Sequence, residues 1–292
     1  MKKIVFILAL AVSASISALA QNNGQDVIYI KSVKFATPLL EKWIAEYSKL
    51  NPEVKITIAD KNIDSEHIDI QLLASDEYAG TKFAFSIGRY AVLPIAGKSN
   101  TLLGEFQKKK LNSKRIKELF FEKDILDDDA GEKDKYNATI YSVVNASSTA
   151  NTFANHFGYE PSKLKGKKIS GDDIYLINAV QKDNTGVSFN SLSYIYDIHS
   201  RQLKSNIALL PLDLKREYSE VIAEANLDKV IDLLETKSID LIPVEDINFV
   251  TTHTPDAQTE QFLQWVVADG QAYNHQYGFL NADKHQLLGY KK

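Results

Sequence analysis

The sequence predicts an α/β fold, because segments with strand character alternate with segments of helical periodicity along most of its 292 residues. Hydrophobic residues make up 44% of the chain and charged residues 25%, which is the balance of a folded globule rather than of a disordered or fibrous chain. Cysteine is absent. The sequence therefore excludes a thiol nucleophile, a thiolate metal site, a disulfide scaffold and an acylated N-terminal cysteine.

The N-terminus has the three-part pattern of a secretory signal peptide. Residues 1–3 include two lysines and form a cationic start, and residues 4–12 are apolar. Ala18 and Ala20 then place small side chains just before Gln21. The alternative is a membrane anchor, but the apolar run is shorter than the ~20 residues that a spanning helix needs. We expect cleavage after Ala20 and export of residues 21–292 to the periplasm.

The first elements of the exported chain predict a strand–helix–strand unit. Residues 27–30 are β-branched or aromatic, and residues 54–58 alternate as a second strand. Between them Thr37 is predicted as a helix N-cap, with Pro38 in the first turn. An apolar face follows at helical spacing. Two strands joined by one helix predict a parallel pair with a right-handed crossover.

The remaining elements are read from the same periodicities. A charged loop is predicted over 124–135. Strands are predicted at 68–73, 82–87, 90–95, 141–144, 186–189, 207–212, 239–244 and 248–252. Helices are predicted at 112–120, 147–157, 217–237 and 258–277.

Charge and motif content exclude several function classes. The formal net charge of −4 argues against a sequence-independent nucleic-acid binder, which needs a basic surface. The six histidines form no HExxH motif and no pair at ligand spacing, and residues 127–132 lack the spacing of a calcium loop. No nucleophile elbow, P-loop or dinucleotide fingerprint occurs. The sequence therefore predicts no metal, no cofactor and no enzyme activity.

Two segments are candidates for binding an anion. Residues 145–149 follow a strand and open a helix, where free backbone N–H groups and short hydroxyl side chains can bind an oxyanion. The alternative is that Asn145 or a serine there is only an N-cap. The second candidate is the loop with Lys31, Ser32 and Lys34, placed where ligands of open α/β sheets bind. Its alternative is a solvated loop.

The order of these segments resembles the periplasmic phosphate-binding proteins of ABC transporters and their type II substrate-binding relatives. The resemblance spans nearly all of the exported chain. It is carried by residues 37–43, 111–120, 185–194, 262–271 and 277–279. It implies a two-lobe periplasmic binding protein of type II, with a ligand cleft between the lobes. Lobe one would hold residues 21–90 plus 207–292, and lobe two residues 91–206.

The resemblance implies a solute-binding protein for phosphate or a similar small oxyanion that feeds an ABC transporter. Its partners would be the small anion and a membrane permease or other envelope complex. Lys31 or Arg89 would supply further positive charge. The ligand-binding residues implied are Ser32, Lys34, Ser75, Asn145, Ser147, Ser148 and Thr149.

The chain departs from the family where the anion is held. The family's second-lobe loop reads R-x-D-G-S-G-T, and here Val143 and Asn145 stand at its Arg and Asp positions. The change removes a bidentate cation and the acceptor for a protonated phosphate oxygen. Residues 60–64 stand where the family has a Gly- and Ser-rich turn. These departures support an alternative function, a binding-fold protein that has lost the solute site and acts as an envelope interaction partner.

Overall fold

A computed structural model describes residues 27–74, 83–122, 136–144 and 147–283. The predicted signal peptide and charged loop lie outside the described residues. The strands are β1 Val27–Ser32, β2 Lys55–Ile58, β3 Ile70–Leu73, β4 Phe83–Gly97, β5 Thr139–Val143, β6 Lys167–Ile169, β7 Gly186–Ser191, β8 Ile207–Leu209 and β9 Val244–Thr251. The helices are α1 Thr37–Leu50, α2 Leu103–Lys108, α3 Ser113–Phe120, α4 Ser148–His156, α5 Ile174–Lys182, α6 Leu192–Ile195, α7 Arg216–Ala223, α8 Leu227–Thr236 and α9 Ala257–Val267. None of these helices is long and apolar enough to cross a bilayer.

One long strand, β4, connects two groups of strands. The strand order is β2-β1-β3-β9-β4-β7-β5-β6, with β8 also paired to β4. The first part of β4, from Phe83 to Ala91, is antiparallel to β9. From Val92 to Ala96 the same strand is antiparallel to β7. The predicted lobe boundary at residue 91 falls at this change of partner, and the extents of the two lobes stay a prediction.

The strand–helix–strand unit at the start is confirmed, since β1 and β2 are parallel and joined by α1. The predicted cap is wrong: Ala36 is the N-cap, because a 3₁₀ turn over Lys34–Ala36 leads directly into α1. The hydroxyl of Thr37 instead donates back to the carbonyl of Val33 at 3.3 Å. Pro38 lies in the first turn, where its missing N–H costs nothing.

Three predicted strands differ from the structure. Those at 82–87 and 90–95 are parts of the single strand β4, whose register shifts between Ser86 and Gly88 and interrupts the side-chain alternation. The predicted strand at 239–244 is wrong. Ile242 N–H bonds the Ile239 carbonyl in a turn, and Pro243 has no N–H for a strand ladder, so β9 begins at Val244.

The predicted helices at 112–120 and 147–157 are confirmed as α3 and α4, and the other two differ from the structure in length. The segment 217–237 forms α7 and α8, which are separated where Ala225 takes a φ of 52°. The last helix ends at Val267 and continues as 3₁₀ turns. Helix α5 and strand β6 were not predicted. Strand β6 ends before Asp172 and α5 begins after Asp173, and both aspartates belong to the candidate site described below.

Close packing of β4 on α5 generates a stability prediction. A Cβ added at Gly97 would lie 2.4 Å from the Val180 carbonyl oxygen of α5. We expect Gly97→Ala to lower the free energy of unfolding by about 1–3 kcal/mol, the usual cost of overpacking. Urea unfolding monitored by circular dichroism measures this change. Gly104→Ala is the control, because nothing lies within 4 Å there and alanine favours the helix; an equal loss in both variants would contradict the prediction.

Candidate functional site

The first turn of α4 is built as the sequence predicts. Ser147 is the N-cap, and its Oγ accepts a hydrogen bond from Ala150 N–H at 3.2 Å. The alternative that a serine here caps the helix is therefore confirmed. The cap satisfies one first-turn donor, and an α-helix has no internal acceptors for its first N–H groups. Ser148 and Thr149 thus begin α4 at an end that carries a partial positive charge.

The buried side chain of Asp173 accepts hydrogen bonds from two hydroxyls of this turn. Ser147 Oγ donates to Asp173 Oδ1 at 2.7 Å, and Thr149 Oγ1 donates to Asp173 Oδ2. Asn190 Nδ2 donates to the Asp173 main-chain carbonyl at 2.7 Å and fixes the residue from β7. Asp173 is only 6% exposed, and burial raises the pKa of its carboxyl although the two hydroxyl bonds oppose the rise. The site therefore already contains a buried acidic group that is paired with these hydroxyls.

The neighbouring Asp172 connects this carboxylate to the β1–α1 loop. Lys34 Nζ lies 3.9 Å from Asp172 Oδ2, with the lysine side chain 75% exposed and the aspartate 12%. Asp172 Oδ1 also accepts from Ile174 N–H at 3.0 Å. Tyr194 hydrogen-bonds the same carboxylate, and burial together with that carboxylate raises the pKa of the phenol. Lys34 and the first turn of α4 therefore contact two adjacent aspartates.

Other predicted site residues lie elsewhere or have other roles. Ser32 Oγ donates to the Val33 carbonyl at 3.0 Å, so this hydroxyl serves its own loop. Arg89 Nε donates to the Asn281 carbonyl at 3.0 Å and lines a different cavity, of about 290 Å³, with His156 and Glu235. Lys31 is exposed on β1. Ser75 and Asn145 lie outside the described residues.

Tyr90 joins two of the site's segments from β4. Its hydroxyl lies 3.1 Å from the Ala74 carbonyl, which follows β3, and 3.3 Å from the Ser148 carbonyl of α4. Thr152 Oγ1 is 2.5 Å from the same hydroxyl. The ring of Phe35 packs on Tyr90 at 4.9 Å between centroids, which brings the β1–α1 loop into the same cluster.

A possible metal-ligand group lies apart from these residues. The side-chain ligand atoms of Asp64, Glu66 and His67 come within 4.8 Å of one another, and all three residues are exposed. The absence of paired histidines predicts no metal site here, whereas the short turn at Ser65–His67 brings one histidine together with two carboxylates. Carboxylate and imidazole ligands together suit a transition metal better than calcium.

Asp172 and Asp173 are not among the predicted site residues, because the segment that carries them has no predicted strand or helix. Two acidic residues directly before an apolar run with helical spacing are a helix-start signal, and Leu176, Ile177 and Val180 supply that run on α5. That signal could have placed both aspartates at a helix N-terminus. It could not have paired Asp173 with Ser147, because they are 26 residues apart.

Solved structures share this fold at low sequence identity. A Clostridium perfringens protein, described as a phosphate ABC transporter substrate-binding protein with bound phosphate, has a TM-score of 0.57 and 14% identity over 88% of this chain and 100% of its own. An ABC-type phosphate transport receptor from Vibrio cholerae has a TM-score of 0.54 and 12% identity over 87% and 99% of the two chains. The OxyR2 regulatory domain from Vibrio vulnificus has a TM-score of 0.52 and 11% identity over 82% and 93%. No family model and no curated protein matches the sequence.

The chain has the type II periplasmic-binding-protein fold. The predicted fold class is thereby confirmed. The OxyR2 regulatory domain shares this fold with the two phosphate proteins, so the fold alone does not identify a ligand for this chain.

The burial of Asp173 generates a prediction about pH. A carboxyl whose pKa is raised above its ordinary 3.8 by folding binds its proton more tightly in the folded state, so stability falls as pH rises from about 4 through the raised pKa. Asp173→Asn cannot ionise. We therefore expect its free energy of unfolding, relative to the wild type, to increase as pH is raised from 4 to 7 in urea titrations.

Asp183 is the matched control for this titration. Burial raises the pKa of its carboxyl, but hydrogen bonds from Thr185 and Tyr141 outweigh it and lower the pKa to about 2. A lowered pKa gives stability that is complete above the ordinary value and is lost only in acid. The difference between Asp183→Asn and the wild type should be flat above pH 5. A flat difference for Asp173→Asn as well would show that its carboxyl is not destabilised by burial.

Proposed function

We propose that the protein is an extracytoplasmic solute-binding protein of the periplasm. Its solute is a small oxyanion, phosphate in a protonated form, which the protein passes to a membrane ABC permease. The fold supports this role, since it is that of two phosphate receptors. The observation that carries the proposal is the convergence of Lys34 with the first turn of α4 on the Asp172–Asp173 pair.

We call Lys34, the first turn of α4 and the Asp172–Asp173 pair the junction. Its hydrogen-bond donors and acceptors favour a protonated oxyanion. The first turn of α4 offers backbone N–H groups and partial positive charge, and Lys34 adds an exposed cation. Two adjacent carboxylates repel a fully ionised dianion. A solute that carries a proton can donate a hydrogen bond to the Asp173 carboxylate and so reduces that repulsion. Protonation of Asp173 itself would also reduce it, because it removes one of the two negative charges. Phosphate keeps a proton near neutral pH and sulfate does not, so the junction favours phosphate over sulfate.

The proposed lobes give the junction a way to open and close. Residues 21–90 plus 207–292 would carry Lys34, and residues 91–206 would carry α4 and the aspartates. Strand β4 passes between these two groups. We propose that hinge motion about β4 closes Lys34 onto the solute, as is usual for domain closure around ligands.

A second candidate function is an envelope interaction partner that no longer binds a solute. One observation favours it: the hydroxyls of Ser147 and Thr149 already donate to Asp173. In that case the aspartate carboxylate takes the place of a bound oxyanion, and the fold serves as a rigid surface for a protein partner.

A thermal shift of residues 21–292 against phosphate and sulfate distinguishes the two functions. A ligand at a hundred times its Kd stabilises the folded state by about 2.7 kcal/mol, which corresponds to a rise in Tm of roughly 5–10 °C for a chain of this size. We expect such a rise with phosphate, a smaller one with sulfate, and a larger phosphate effect at pH 6 than at pH 8.

The variant Ser147→Ala/Thr149→Ala should lose the phosphate shift. Its matched control is Ser99→Ala/Thr101→Ala, which removes the same two hydroxyls at the same spacing from a turn bonded to Asn184. The control should keep the full shift. If millimolar phosphate leaves the Tm of the wild type unchanged, the solute-binding proposal is wrong and the interaction-partner function is favoured.

A further inference from the structure

The hydroxyl of Tyr90 has more partners than it has protons. It lies within hydrogen-bond distance of the Ala74 and Ser148 carbonyls and of Thr152 Oγ1, and the residue is only 1% exposed. A phenol carries one O–H, a carbonyl can only accept, and a threonine hydroxyl can either donate or accept. Thr152 can therefore donate to Tyr90, while Tyr90 donates to one of the two carbonyls at a time.

These partners come from different parts of the candidate site. Ala74 follows β3 and precedes the predicted ligand residue Ser75 in the sequence. Ser148 and Thr152 belong to the helix whose first turn carries the predicted donors. Tyr90 itself lies on β4 one residue before its pairing with β9 ends and two residues before its pairing with β7 begins. The phenol thus joins three elements at the point where β4 changes partner.

We propose that Tyr90 is a positioning residue of the candidate site, whose hydroxyl holds the end of β3 against the first turns of α4. The single proton alternates between the Ala74 and Ser148 carbonyls, so either segment can move slightly without leaving the other unbonded. Tyr90 does not contact the solute in this proposal. Its effect on solute binding rests on the proposed function, whereas its effect on the two segments does not.

The test compares Tyr90→Phe with Tyr196→Phe in residues 21–292. Both rings are almost fully buried, but the Tyr196 hydroxyl has no hydrogen-bond partner among the described residues. Amide hydrogen exchange of the ligand-free protein should become about tenfold faster over 70–74 and 148–152 in Tyr90→Phe, as expected for the loss of one buried hydrogen bond. It should be unchanged there in Tyr196→Phe.

Variants of Thr152 separate the hydroxyl's role from that of packing. Thr152→Ser keeps the hydroxyl and should behave like the wild type. Thr152→Val keeps the shape and should reproduce part of the Tyr90→Phe effect. Where phosphate binds the wild type, isothermal titration should show about tenfold weaker binding by Tyr90→Phe and unaltered binding by Tyr196→Phe.

The outcomes separate this inference from the proposed function. Unchanged exchange in Tyr90→Phe, equal acceleration in Tyr196→Phe, or acceleration spread equally to α9 would overturn the positioning role. If exchange changes only at the two segments while phosphate fails to bind the wild type, the positioning role stands and the oxyanion proposal fails.

Discussion

The pairing of β4 with two different neighbours is the constraint on which the rest of the structure depends. Its backbone bonds β9 as far as Ala91 and β7 from Val92 onward, so both groups of strands take their register from one chain segment. From Tyr90 to Gly97 every residue of this strand is buried. A strand covered on both sides must be apolar throughout, which is why its sequence is a continuous hydrophobic run instead of an alternating one.

The direction of the strands then places the polar groups. Parallel strands β5, β6 and β7 end at the same edge of the sheet. The segment after β5 supplies Ser147, the segment after β6 supplies Asp172 and Asp173, and the segment after β7 supplies Tyr194. Residues that are far apart in the sequence thus meet because open α/β sheets bring strand ends together. Lys34 reaches them from the end of β1 in the other group of strands.

Local signals predicted the elements and missed the partners. Helix α3 was correctly predicted from Asn112, whose side chain caps it, and α4 from its serines. The break at Ala225 was not predictable, because nothing in alanine's chemistry favours a positive φ and only the tertiary structure imposes it. Only part of the candidate site could be predicted, because its remaining contacts are likewise imposed by the tertiary structure. Ser147 lies in a recognisable capping position, but its bond to Asp173 depends on the sheet.

The electrostatics of Asp173 explain why the same geometry is compatible with both proposed functions. Burial penalises an ionised carboxylate, and two hydroxyl donors beside the positive end of α4 offset part of that penalty. Groups that stabilise a carboxylate in this position are the same groups that stabilise an oxyanion. The junction is therefore satisfied without a ligand, and any solute must either share these donors or displace the carboxylate from them. A protonated oxyanion can share them, because it gives Asp173 a new donor in exchange. A fully ionised oxyanion offers none and meets the repulsion of both aspartates.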